Sequence, residues 1–69
     1  MKRYLVVIEK AEGNFSVYLP DVPGCMATGR TPEEAKANIA AALKMHLEGL
    51  AEDGLPLPEP TAESDYVTA

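Results

Sequence analysis

The spacing of apolar positions changes character along this chain. Residues 2–9 are rich in aromatic and β-branched types, Tyr4-Leu5-Val6-Val7-Ile8, and over Asn14 to Leu19 the apolar Phe15, Val17 and Leu19 alternate with Ser16 and Tyr18. A period of two in side chains of this kind predicts strands over 2–9 and 14–19. Lys10-Ala11-Glu12-Gly13 between them has the length and the glycine of a hairpin loop, so the two strands are expected to pair antiparallel. Cys25 to Thr28, a short apolar run closed by Gly29, predicts a third strand over 25–28 and completes a meander.

From Ala35 onward the spacing becomes three and four: Ala35, Ile39, Ala42, Leu43, His46, Leu47 and Leu50 share one face of a helix expected over 32–53. Its start is marked by Thr31 as N-cap, Pro32 at the first helical position and Glu34 placed to close a capping box, with Glu33 and Glu34 on the positive end of the dipole. Gly54 follows as the residue that ends it. Leu55-Pro56-Leu57-Pro58-Glu59-Pro60 lacks the N–H donors of a helix or central strand and predicts an extended, polyproline-like segment. Residues 64–68 either add one short strand or stay loose. Before the helix, Pro20-Asp21-Val22-Pro23-Gly24 predicts a rigid loop, with Gly24 in the positive-φ position of a type II turn. The fold class is therefore α+β, β-β-β-α-(β), a three-stranded antiparallel meander on one long helix.

A chain of 69 residues has room for one domain, and such a domain buries only roughly 60% of its unfolded surface. Small domains commonly recover the shortfall by association, so a homo-oligomer, a dimer or higher, is expected. The first strand suggests where. Tyr4, Val6 and Ile8 point one way while Leu5 and Val7 point the other, and a single helix covers only one face. With Tyr18 and Met26 on the uncovered side, Leu5, Val7, Tyr18 and Met26 form an apolar patch of the kind that marks an interaction surface.

The formal charge of −5 opposes sequence-independent binding to nucleic acid, which depends on Lys and Arg displacing phosphate counterions. It favours a basic protein partner, or serves solubility alone. The apolar run Tyr4 to Ile8 is too short for a signal-peptide core or a membrane span, and the single cysteine, Cys25, suits a reducing cytoplasm. A cytoplasmic protein with no membrane association is expected.

Catalytic chemistry is poorly served. Cys25 and the lone His46 stand at unrelated positions, with His46 on the helix face among Leu43, Leu47 and Leu50, and nucleophilic catalysis needs a base and an orienting group beside the nucleophile. The carboxylates are scattered over strand end, loop, helix ends and tail rather than converging as a metal site requires. No cofactor, metal or enzymatic activity is expected. Glu48, Glu52 and Asp53 stand out instead. They oppose the helix dipole, and Glu48 with Glu52 is a like-charge i,i+4 pair, offset in part by pairing of Lys44 with Glu48. An acidic helix end held against its own preference suggests a surface for a basic partner, together with the loop around Asp21.

The stretch Leu19-Pro20-Asp21-Val22-Pro23-Gly24-Cys25, followed by Gly29-Arg30-Thr31-Pro32-Glu33-Glu34-Ala35, then Asn38-Ile39 and the helix end Gly54-Leu55-Pro56-Leu57-Pro58, resembles the HicB-type antitoxin domain over about residues 4 to 60. The resemblance implies a partial ribonuclease H fold without that enzyme's metal-binding carboxylates. It also implies a partner, a small basic HicA-type toxin that cleaves mRNA, which such domains bind and neutralise. Many members carry a C-terminal DNA-binding domain. The sequence to Ala69 contains none, so direct nucleic acid binding is not expected of it. The readings this leaves are an antitoxin-type binding domain, an orphan homo-oligomeric domain with another regulatory or assembly role, and, furthest from the residues, a metal-dependent nuclease.

Overall fold

In the computed structural model, which describes residues 2–69, strands β1 (Val7–Ala11), β2 (Asn14–Tyr18) and β3 (Met26–Gly29) precede a single helix, α1 (Pro32–Glu52). The sheet is antiparallel in the order β1-β2-β3. This is the expected β-β-β-α arrangement, with edges that differ for identifiable reasons.

The ladder of β1 begins three residues later than its apolar run, because Val7 pairs with Tyr18 and beyond Tyr18 the second strand turns away at Leu19-Pro20. Residues 2–6 therefore run past the end of β2 with no strand beside them. At the other end β1 continues to Ala11, which pairs with Asn14, and the loop shrinks to Glu12-Gly13 with Gly13 at φ 81°. Cys25 is not in the third strand, since its N–H donates to the Val22 carbonyl at 3.1 Å and so belongs to the preceding loop.

That loop consists of two successive turns. Val22 N–H donates to the Leu19 carbonyl (3.1 Å) and Cys25 N–H to that of Val22 (3.1 Å), with Pro20 and Pro23 at the second position of each. Gly24 has φ 84°, as the second turn requires. Leu19 N–H closes the loop on the Cys25 carbonyl at 3.4 Å. Through this geometry Leu19, Val22 and Cys25 point inward, so the loop supplies half of the buried core, the rest being Val17, Ala35 and Ile39. Tyr4, Val6, Phe15, Ala27, Ala42 and Leu43 pack around it.

The helix begins as its sequence requires. Thr31 is extended (φ −132°, ψ 160°) and its Oγ1 accepts from the Glu34 N–H at 3.0 Å. The returning bond differs from a regular capping box: Glu34 Oε1 accepts from the N–H of Arg30 at 3.3 Å, one residue before the cap. At the far end Gly54, at φ 68°, donates to Ala51 and Leu55 donates to Leu50 at 2.9 Å, the Schellman pair that satisfies the last carbonyls. Seating on the sheet depends on Gly29. A Cβ there would fall 2.8 Å from Ala35 Cα and collide with its nitrogen, so backbone meets backbone at this crossing. Asn38 Nδ2 reinforces the contact by donating to the Thr28 carbonyl at 2.8 Å.

The helix outruns the sheet. Ala35 and Ile39 are buried, Ala42, Leu43, Leu47 and Leu50 are half-buried, and the molecule measures 42 × 27 × 19 Å. The segment after Gly54 has no regular structure, and residues 64–68 form no strand; Tyr66 and Val67 are 96% and 97% exposed.

Two substitutions rank these contacts. Thr31→Ala removes the cap acceptor and is expected to cost about 1 kcal/mol, with Thr31→Ser close to neutral. Gly29→Ala forces the helix off the sheet and is expected to cost more, about 2–3 kcal/mol as overpacking does. Urea unfolding followed by circular dichroism checks both values and their order.

Candidate protein-binding surface

The sheet register decides which side chains share a face. Val17 is buried in the core beneath the helix, so its neighbour Tyr18 faces away, and Tyr18 pairs with Val7 on one side and Met26 on the other. Val7, Tyr18 and Met26 thus form one cross-strand row on the face the helix leaves open. Alternation along the chain sets Leu5 beyond Val7 on the same side. Tyr18 is 39% and Met26 70% exposed, while Leu5 and Val7 are half-buried. The next row, Glu9, Ser16 and Thr28, is polar. The open face is accordingly apolar at the end near the Leu19–Cys25 loop and polar toward the hairpin.

Asp21 serves an internal purpose that its sequence context did not reveal. Its carboxylate accepts from Thr61 N–H (3.1 Å), Thr61 Oγ1 (3.1 Å) and Ala62 N–H (3.0 Å). Two further bonds secure the same segment: Tyr4 donates its hydroxyl proton to the Pro58 carbonyl at 2.7 Å, and Lys2 Nζ meets Glu59 Oε1 at 2.9 Å. The Glu59 bond raises the Lys2 ammonium above its ordinary pKa. Together these hold the proline-rich tail against the strand and loop. Lys2, Tyr4 and Thr61 carry no local signal for this role, because their partners lie 40 or more residues away.

Glu48, Glu52 and Asp53 are all exposed on the overhanging end of the helix, and its last turn contains no basic residue. The expected Lys44–Glu48 pairing is not formed; among the described residues the ion pair is Lys2–Glu59. The acidic cluster is left facing water. His46, expected on the apolar face, is exposed on the same overhang. Cys25 is buried in the loop, where desolvation pushes its thiol above the ordinary value. Among the described residues no three His, Cys, Asp or Glu side chains come together as metal ligands would, and no helix is long and apolar enough to cross a membrane.

Residues 4–69 match the family model of the HicB-like antitoxin of bacterial toxin-antitoxin systems. The chain belongs to this family. Among its relatives, the UPF0150 protein Ta0767 of Thermoplasma acidophilum is 37% identical over 68 residues, covering 97% of this chain and 99% of its own. A 14.9 kDa protein from the rep-hol intergenic region of Haemophilus phage HP1 is 39% identical over 64 residues, 93% of this chain but 48% of the phage protein. The chain thus spans about half the length of that relative. Among solved structures, a chain of the HicA3 and HicB3 toxin-antitoxin complex superposes with a TM-score of 0.70 at 35% identity, covering 87% of this HicB-like chain and 70% of the other.

Three outcomes follow from this geometry. Asp21→Ala removes three acceptor bonds and is expected to speed limited proteolysis around residues 58–65 while the far-ultraviolet spectrum stays unchanged. For Cys25, alkylation by iodoacetamide at pH 8 is expected to be slower than for the urea-unfolded chain. Because the folded pKa is raised, the stability tied to the neutral thiol is complete below the unfolded value of about 8.5. It falls as pH rises through the folded value, which urea midpoints between pH 7 and 10 in the wild type and Cys25→Ser test directly.

Proposed function

We propose that this HicB-like domain is an antitoxin-type binding module that neutralises a small basic, mRNA-cleaving toxin by covering its active surface. The superposition on a toxin-antitoxin complex at 35% identity carries this reading, and the charge of −5 with an exposed acidic helix end supports it. Glu48, Glu52 and Asp53 supply a field that attracts a basic protein, and the row Val7, Tyr18, Met26 with Leu5 supplies apolar area for close contact. Masking of this kind acts by exclusion, so the domain itself performs no catalysis. Its place of action is the cytoplasm, where mRNA is translated.

A second reading has its own support. The Thermoplasma relative matches over nearly its whole length, and the apolar row on an uncovered sheet face suits self-association of a small domain. In that case the domain is a homo-oligomer with another regulatory or assembly role.

Co-expression with whatever small basic protein is encoded beside it separates the two. Relief of growth arrest and co-purification are expected for the antitoxin. Tyr18→Asp is expected to weaken the complex at least tenfold, and Glu48→Lys with Glu52→Lys to slow association and flatten its dependence on salt. No rescue by the wild type would reject the antitoxin reading.

A further inference from the structure

β1 is an edge strand, and beyond its ladder with β2 no backbone hydrogen bond involves residues 2–11 among the described residues. The apolar run Leu5 to Ile8 that leads into it contains no proline or charge to discourage pairing, and natural proteins rarely leave such an edge bare. Just before it, along residues 3–6 where the chain runs past the end of β2, lies an open groove of ≈ 620 Å³ lined by Arg3, Tyr4, Leu5 and Val6, with Lys36 of the helix as the far wall. Four consecutive residues line it, so the groove follows the main-chain edge rather than one face of the sheet.

We propose that this groove receives the same segment of a second copy, antiparallel about Val6, so that two three-stranded sheets become one of six strands. The charges select the occupant and the register. Two-fold pairing centred on Val6 sets Tyr4 opposite the partner's Ile8, Leu5 opposite the partner's Val7 and Arg3 opposite the partner's Glu9. Arg3 and Glu9 are both exposed and neither has an ion-pair partner within the chain among the described residues. Centring on Leu5 instead sets Arg3 against Val7, and centring on Val7 sets Glu9 against Leu5, so the Val6 register alone matches charge with charge and apolar with apolar. Lys2 and the partner's Lys10 also come together, but Lys2 is already bound to Glu59. The two-fold axis stands perpendicular to the sheet, which puts both helices on one side. On the other, the row Met26, Tyr18, Val7 of one copy continues into the partner's Leu5.

This deepens the self-association considered above and is independent of toxin binding. Sedimentation equilibrium is expected to show a dimer for the wild type. Arg3→Glu and Glu9→Arg are each expected to weaken it about tenfold, since each creates two like-charge contacts per dimer, and the double variant to recover it to within about threefold. Circular dichroism verifies that all three stay folded. A monomeric wild type would overturn both the pairing and self-association. A dimer indifferent to the single changes, or one not restored by the double, would overturn the β1 edge alone.

Discussion

The helix lies on this sheet because nothing larger than hydrogen stands between Gly29 and Ala35. That approach fixes the first turns of α1 over β3 and β2, and with them which face of the meander is covered. Once Val17, Ala27 and Gly29 face the helix, register turns Val7, Tyr18 and Met26 outward. The candidate interaction surface is thus a consequence of one packing decision at the strand-to-helix junction. Asn38 and the Thr31 cap hold the same junction from either side.

Local chemistry made much of this legible beforehand. The N-cap, the proline-glycine turn and the glycine stop each act within a few residues, and each appears where its residues stand. What escaped reading was non-local. The late start of β1 depends on where its partner leaves the sheet, which no pattern in Tyr4 to Ile8 encodes. The role of Asp21 depends on Thr61, and that of Tyr4 on Pro58. Helical periodicity from Ala35 to Leu50 reports a face but not the extent of what lies opposite, so an equally regular stripe is buried at Ile39 and half-exposed at Leu47. The loop was readable as rigid; that its Val22 is wholly buried follows only from the double turn.

The surface proposed for binding divides into two chemically different regions. The overhanging helix end concentrates negative charge where the sheet no longer shields it, and the open face offers aromatic and aliphatic contact. In the binding role proposed above, long-range attraction and short-range fit fall to different elements, one projecting and one broad. In the proposed antitoxin role that division has a purpose, since electrostatics governs encounter and apolar contact governs residence.

The fastenings of the tail carry a kinetic implication. The hairpin, the double turn and the helix all join residues close in sequence, whereas Lys2 to Glu59 and Tyr4 to Pro58 close loops of 57 and 54 residues. Closing such loops is entropically slow and is rewarded only when both ends already have their final positions. Meander and helix are thus set to assemble first and the tail to dock last. By the same logic the tail is the part that opens at the lowest free energy in the native state, and the remainder stays folded while it does.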